Sequence, residues 1–438
     1  MSKNPLAVIP EKRDMESNSI PNGLGWKKEM DKTDKDGIKA SLSNARRLIM
    51  LHPYLRDLFG WSEMDEDVML VRELPSFEGI KPPKSTKGYP CLLEDKYVNY
   101  LRDMLSAMCE CNFNRNDILQ ACCNAAVQRP YNPIRTYLKS LTWDEEPRLT
   151  EWLTKGFGVK ATALSGSMAF MFLIAAVRRV VFRRYKFDSM LVLEGEKGIR
   201  KSSGIRALFG DDYFLEGIGD IRKEQTTQLL AGMWGVEIPE GKGFLSADAA
   251  TQKEFLSKEE DTYRRAYAVR PVTVPRTVVF VMTTNDYQYM IDGSGDRRFW
   301  PVLCGVEHEP DVDWIRRHRD QLWAEAFVKA IEKNSDGTYR YQTFMEDAEI
   351  EQLTEEQESR LVQDPWEEII RSYFYGAGAG AGIKETTMMQ IMSDAINIPN
   401  DRRDRSCQVK IGRIMKEMGW KKQRFRSADS RGYIYCRP

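Results

Sequence analysis

The chain has 438 residues and a mass of 50.6 kDa, which at about 150 residues per domain suggests two to three domains. Apolar residues make up 42% and charged residues 30%, so there is material for a core and wholesale disorder is excluded. Lys plus Arg number 65 and Asp plus Glu number 65, which excludes a histone-like or polyacidic protein and makes any basic surface local.

Cys91, Cys109, Cys111, Cys122, Cys123, Cys304, Cys407 and Cys436 form no CxxC pair, and the histidines are His52, His308 and His318. That set argues against a structural zinc site and for free thiols in a reducing compartment. The first residues carry no apolar leader, and the longest apolar run, Met168 to Val177, stops at Arg178 and Arg179. A bilayer span needs about 20 such residues, so the expectation is a cytoplasmic protein without a membrane partner.

In chain order, residues 1–36 read as a polar, disordered tail. Residues 37–160 read as a helical N-terminal domain: Ala40 to Leu58 and Asp95 to Cys109 have apolar positions at helical spacing, Asn116-Asp117 caps a helix to Val127, and Ile134 to Leu141 follows Pro133. Residues 161–345 change character. A helix over Ala161 to Arg184 leads into short apolar strands, Met190 to Leu193, Trp234 to Ile238, Thr277 to Met282 and Phe299 to Leu303, which predicts an α/β fold with a mostly parallel sheet. Residues 346–382 hold an acidic helical stretch and the Gly/Ala run Gly376 to Gly382, expected to be a flexible linker. Residues 383–438 are basic. From Asp401 to Pro438 the net charge is +8, and two helices, Thr387 to Ala395 and Val409 to Met418, precede the strand-like runs Trp420 to Arg426 and Gly432 to Cys436, the order of a winged helix.

The strongest chemical signal is MLVLEGEKGIRKSSGIRALFG. A strand ends at Glu194, a loop runs Gly195, Glu196, Lys197, Gly198, Ile199, Arg200, Lys201, Ser202, and a helix opens at Ser202 with Ser203 next. This follows the P-loop pattern GxxxxGK[ST], in which backbone N–H groups face phosphates, the lysine reaches the β and γ oxygens, and the hydroxyl of Ser202 serves Mg²⁺. Arg200 stands where the second glycine is expected. If that position takes a positive φ, a non-glycine residue costs about 1–2 kcal/mol.

Three further elements complete a constellation. WGVEIPE supplies Glu237 and Glu240 at a strand end, one to hold Mg²⁺ and one to polarise water; Glu237 is the favoured metal carboxylate and Glu240 the second candidate. RTVVFVMTTND delivers Thr283, Thr284 and Asn285 at the ligand-binding edge of a parallel sheet, where the amide can orient water. SGDRRFWPV sets Arg297 and Arg298 on a loop entering a strand, where an exposed arginine can act in trans on a neighbour's γ-phosphate.

That order resembles the superfamily 3 helicase branch of the AAA+ ATPases, and more closely the virulence-associated protein E family of phages and mobile elements. The resembling stretches are PIRTYLKSLTWDEEPRLTEWL, KFDSMLVLEGEKGIRKSS, WGVEIPE, KEFLSKEEDTYRRAYA, PRTVVFVMTTN and DGSGDRRFWPV. The resemblance implies a replication ATPase using ATP and Mg²⁺ in a homo-oligomeric, hexameric ring, with nucleotide at subunit interfaces and a separate primase or initiator as partner. It gives Lys201 and Ser202 the P-loop roles, Glu237 and Glu240 those of the paired acids, Asn285 that of the sensor, and Arg297-Arg298 those of the arginine pair. Arg200 departs from the family pattern. The resemblance also implies a loop gripping single-stranded DNA between the acidic strand and the Asn285 strand, with Lys253, Lys258, Arg264 and Arg265 as phosphate contacts. Tyr263 and Tyr267 there either stack on bases or pack. In the tail, Lys421, Lys422, Arg424, Arg426 and Arg431 are the duplex-DNA candidates, with Trp420 and Phe425 as its small core.

Three functions compete: an ATP-driven DNA helicase or translocase, a nucleotide-gated DNA-binding initiator with little hydrolysis (motivated by Arg200), and a small-molecule P-loop kinase, which needs neither the arginine pair nor the basic tail.

Overall fold

A computed structural model describes residues 26–86, 88–264, 270–290, 297–360, 365–376, 379–426 and 431–438. It divides into two compact units. One takes the described residues up to Tyr287 and from 297 to Ser359; the other takes 288–290 and the residues from Arg360 to Pro438.

The first unit begins earlier than the polar composition suggests. Met30 is buried, and the Asn44 side chain donates to the carbonyls of Asp31 and Lys39, so the end of the expected tail is tied to the unit. The helix α1 (Leu42–Leu51) starts at Ser41, whose hydroxyl accepts from Asn44 N, and stops well short of Leu58. There the chain turns into β1 (Phe59–Ser62) and β2 (Asp67–Leu70), an antiparallel pair. β3 (Cys91–Leu92), α2 (Asp95–Cys109), α3 (Arg115–Val127) and β4 (Pro130–Tyr131) complete a four-stranded sheet of order β3-β2-β1-β4 under helices. Asn114, not Asn116, caps α3. Residues 37–160 were expected to be helical; the sheet corrects this. Its strands are two to four residues long, too short for period-2 alternation to register. Cys109 and Cys122 are buried in this core.

The expected boundary at residue 160 also moves. α4 (Pro133–Ser140) and α5 (Trp152–Phe157) bury Ile134, Tyr137, Leu138, Trp152 and Phe157 in the same cluster as the next segment, because their apolar faces match its helices. That segment runs α6 (Ala163–Val181), β5 (Met190–Glu194), α7 (Lys201–Phe209), β6 (Phe214–Glu216), α8 (Glu224–Leu230), β7 (Gly235–Pro239), α9 (Ala249–Ser257), β8 (Glu260–Tyr263), β9 (Val272–Pro275), β10 (Val279–Thr284), β11 (Phe299–Leu303), α10 (Val312–Ile331) and α11 (Asp347–Glu358). β11-β5-β10-β7-β6 form a sheet in which every neighbouring pair is parallel. Such strands are covered on both faces and read as continuous apolar runs, which is why four of the five were visible in sequence. β8 and β9 pair as a separate antiparallel hairpin. α6 is long and apolar enough to cross a membrane, yet 78% of its apolar window is buried, with Phe172 and Ile174 in the core. Trp234 packs against Trp323 of α10 with the rings tilted and their centres 4.1 Å apart, tying sheet to helix layer.

The second unit holds α12 (Pro365–Tyr375), β12 (Glu385–Thr387), α13 (Met388–Gln390, continued by a π-helical turn, Ile391–Ala395), α14 (Arg405–Glu417), β13 (Lys421–Arg426) and β14 (Arg431–Cys436). Its antiparallel sheet has the order β12-β14-β13. Ile370 and Phe374 of α12 share a core with Ile411, Ile414, Met415 and Trp420. The expected break at 382/383 therefore falls inside this unit. Within Gly376 to Gly382, expected to be a flexible linker, two glycines are packed: a Cβ on Gly376 would lie 2.4 Å from the Ser372 carbonyl, and one on Gly380 would lie 2.3 Å from the Tyr373 ring, while Ala379, Ala381 and Gly382 are exposed. These glycines let the backbone double back against α12. Ala377 and Gly378 lie outside the described residues.

Candidate functional site

The C-terminal ends of the parallel strands meet at one edge of the sheet, where β5, β7 and β10 deliver the sequence-selected residues. Register puts Thr284 beside Glu194 and Thr283 beside Pro239. The loop after β5 carries φ of +142° at Gly195, +89° at Gly198 and +67° at Arg200. The conditional expectation for Arg200 is met: it sits in the left-handed region with its side chain in solvent, directly before α7. Glu196, Lys197 and Gly198 are exposed and Ile199 is half-buried, leaving the loop crest open to solvent.

Lys201 opens α7 and is buried. Its ammonium donates to the carbonyls of Gly195 (2.6 Å) and Glu196 (2.9 Å) and to Asn285 Oδ1 (3.1 Å). Burial lowers its pKa, against the opposing pull of Cys304, Glu240 and Glu237. The next residue, Ser202, donates from its hydroxyl to Glu237 Oε1 at 2.6 Å; Ser203 follows it on α7. Thr283 on β10 donates to the same oxygen at 2.6 Å. Glu237 is fully buried in the middle of β7, not at its end, and burial raises its pKa. Its second oxygen, Oε2, is buried without a hydrogen-bond partner. A buried carboxylate oxygen left open beside a hydroxyl fits a divalent cation such as Mg²⁺, which takes few protein ligands and keeps its waters. No cluster of three His, Cys, Asp or Glu suited to a metal occurs among the described residues.

Glu240 lies three residues on, at φ +52°, with its N–H bonded to Thr283 O at 2.7 Å. Its carboxylate accepts from Asn285 Nδ2 at 2.8 Å. Asn285 thus bridges Glu240 and Lys201 through the two ends of one amide. Five expected residues, Lys201, Ser202, Glu237, Glu240 and Asn285, converge.

The arginine pair does not join them. Arg297 and Arg298 precede β11, whose first residue pairs with the first residue of β5. They stand at the opposite edge, separated from the loop by the five residues of β5, roughly 16 Å at about 3.3 Å per residue.

Among the single-strand candidates, Lys258 pairs with Glu254 at 3.5 Å at the end of α9, and Lys253 is half-buried on the same helix. Arg264 follows β8, with its backbone held by Glu224 and Gln228 of α8. Tyr263 is packed, because alternate residues of β8, Asp261 and Tyr263, face inward; this removes it as a base-stacking residue. Arg265 and Tyr267 lie outside the described residues. In the second unit Lys421, Lys422 and Arg424 are exposed on β13. Arg426 and Arg431 close the two strands, and their side chains lie outside the described residues. Trp420 is core, as expected; the Phe425 side chain is also outside the described set.

Sequence reasoning missed the buried Asp261–Arg276 pair, the fully buried Arg179, and Asp188, which pairs with Arg298 at 3.3 Å. Asp188 lay within a quoted motif, but nothing in its spacing linked it to residues about a hundred positions away.

Among solved structures, the chain is similar to the A-form apo structure of the NrS-1 C-terminal region, with 11% identity over 87% of this chain and 96% of that one and a TM-score of 0.43. A second apo structure of that region gives 12%, 86%, 95% and 0.43. No curated protein matches. The virulence-associated protein E-like domain model matches residues 138–362, just over half of the chain, spanning α5 to α11 and every residue of the converged site. The chain belongs to the virulence-associated protein E-like family.

Proposed function

We propose that this protein is a P-loop ATPase of the AAA+ type that drives DNA translocation or unwinding in the replication of a phage or mobile element, in a bacterial cytoplasm. It works as a homo-oligomeric ring, hexameric by family resemblance, alongside a separate primase or initiator. The observation that carries this is the contact of Ser202 with Glu237 at 2.6 Å, beside the open Glu237 Oε2. Ser202 and Glu237 would hold Mg²⁺, which supplies Lewis-acid neutralisation of phosphate charge. Lys201 and the N–H groups from Gly195 to Ser203 bind the phosphates of ATP. Glu240 polarises water, and Asn285 orients it once its grip on Glu240 is released.

The β8–β9 hairpin, with Lys253, Lys258 and Arg264 around it, is the single-strand contact, with Arg265 assigned to it from sequence alone. The second unit has the strand–helix–helix–hairpin order of a winged helix and the +8 charge of its last 38 residues, which supports duplex binding through Lys421, Lys422, Arg424, Arg426 and Arg431.

A second reading, a nucleotide-gated initiator with little hydrolysis, is favoured by one contact: the Asn285 amide engages Glu240 and Lys201 together. Steady-state ATP hydrolysis with and without single-stranded DNA separates the two. Stimulation of tenfold or more supports the motor; stoichiometric ATP binding with turnover unchanged by DNA refutes it in favour of the initiator.

A further inference from the structure

Two loops that leave the sheet at its nucleotide edge touch each other, one after β6 and one after β7. Gly217 N donates to the Glu237 carbonyl at 3.0 Å, and Ile221 N to the Gly243 carbonyl at 3.4 Å. Gly219 and Gly243 both take positive φ, +69° and +76°, and a Cβ on Gly243 would stand 1.8 Å from the Gly219 carbonyl oxygen. The joint therefore admits no side chain and has little play. The turn that ends in Gly243 also carries Glu240, whose carboxylate accepts from the Asn285 amide at 2.8 Å.

From this joint the chain runs into α8. The buried Thr226 hydroxyl lies 2.9 Å from the Ile218 carbonyl and 2.7 Å from that of Asp220, which ties the loop after β6 to the helix. Glu224 and Gln228, four residues apart, share one face of α8. Together they take both backbone groups of one residue. Arg264 N donates to Glu224 Oε1 at 3.0 Å, and Gln228 Nε2 donates to the Arg264 carbonyl at 3.2 Å. Arg264 directly follows β8, at the end of the hairpin away from its open end. The open end is fixed independently, by the buried two-pronged pair of Asp261 and Arg276 at 2.8 and 2.5 Å. A hairpin fixed at one end and gripped at the other turns about the fixed end when the grip moves.

We propose that Glu224 and Gln228 are positioning residues that couple the nucleotide site to the β8–β9 hairpin, with α8 as the link between them. The inference rests on the reading of that hairpin as the single-strand contact. A nucleotide that draws Glu240 away from Asn285 shifts the turn from Pro239 to Gly243. The glycine joint passes the shift to the loop after β6, Thr226 passes it to α8, and the hold on Arg264 passes it to the hairpin. Each step is a packed or hydrogen-bonded contact, so the path is physically contiguous. One hydrogen bond would let the Arg264 backbone swivel, whereas bonds to its N–H and its carbonyl fix direction as well as place. Glu224 is exposed and Gln228 half-buried, so these bonds add little to folding, and their geometry serves position.

The test measures the affinity of the full chain for fluorescent oligo-dT with and without a non-hydrolysable ATP analogue. The ratio of the two is the coupling, and it exists whether hydrolysis is fast or slow. In the wild type the two affinities should differ by about fivefold or more. Glu224→Ala and Gln228→Ala should each bring the ratio below about twofold, and the double variant should match the poorer single, since both release one residue. Nucleotide-free oligo-dT affinity and DNA-free analogue affinity should change less than about threefold, and melting temperature by less than about 2 °C. Glu224→Gln, whose amide oxygen still accepts from Arg264 N, should keep the wild-type ratio. Thr226→Val should lose the ratio and Thr226→Ser regain it, although Thr226 touches neither the hairpin nor the nucleotide loop. If Thr226→Val does not fold, the two surface positions carry the test. A double variant that keeps the wild-type ratio overturns the coupling, including one that loses oligo-dT affinity equally with and without the analogue. A wild-type ratio of one overturns it as well. The underlying reading is tested apart from this: oligo-dT affinity left unchanged by Lys258→Ala with Arg264→Ala removes the hairpin as the single-strand contact, and the coupling with it.

Discussion

Arg200 offers a direct check on the loop after β5. Its φ of +67° and ψ of +28° lie in the left-handed region, where a Cβ costs about 1–2 kcal/mol. Arg200→Ala and Arg200→Gly both remove the guanidinium, so their difference isolates the backbone. In ordinary helical or extended positions glycine is the less stable of the two by about 0.5–1 kcal/mol, through its larger freedom in the unfolded chain. Here relief of strain exceeds that, and the sign reverses: the glycine variant should be the more stable by about 0.5–1 kcal/mol. In a unit of this size that is about 1–2 °C in melting temperature. The assay is thermal unfolding of both variants without nucleotide, at one scan rate. If the alanine variant melts at or above the glycine variant, the position is not left-handed and the loop geometry is wrong. The same pair addresses hydrolysis. Because the arginine already holds the backbone that a glycine would take, and its side chain is in solvent, Arg200→Gly should change turnover less than threefold. A rise of tenfold or more would mean that the guanidinium obstructs the phosphates, and would revive the low-hydrolysis initiator.

Lys201→Ala should abolish ATP hydrolysis while changing apo stability by no more than about 1 kcal/mol, because loss of its bonds to Gly195, Glu196 and Asn285 is offset by relief of a buried ammonium; turnover near wild type would remove the phosphate-loop assignment. Asp261→Ala strands the fully buried Arg276 and should cost about 3–5 kcal/mol in denaturant unfolding, much of it recovered by Asp261→Leu with Arg276→Met; a cost below about 1 kcal/mol would show that the pair is not buried as described. Deleting residues 361–438 should abolish salt-sensitive duplex binding and spare DNA-independent ATPase. A cut at 383 is a poorer test, since it strands Ile370 and Phe374 of α12 without their core. Loss of ATPase and oligomerisation with duplex affinity unchanged would make this segment an assembly element.

The parts legible in sequence were those whose signal is local. The phosphate loop is a run of consecutive residues after an all-buried strand, and β7, β10 and β11 announced themselves because parallel strands are apolar on both faces. The β1–β2 pair left no comparable trace: its four-residue strands are defined by cross-strand partners, and the helical spacing read over Ala40 to Leu58, on and beyond α1, runs up to their start. The Gly/Ala run misled for a related reason. Composition reports what a backbone is free to do, whereas a flexible linker and a backbone pressed against Tyr373 need the same missing Cβ.

The arginine pair is the sharper case. Linear order places Arg297 and Arg298 after Asn285, as if they joined it at the site. In a parallel sheet, however, a residue's edge depends on whether it precedes or follows its strand. Asn285 follows β10, Arg297 precedes β11, and the register of β11 with β5 fixes them at opposite edges. The parallel register therefore places Arg297 away from the converged site of its own chain, and the order of motifs along the sequence does not by itself bring the two together.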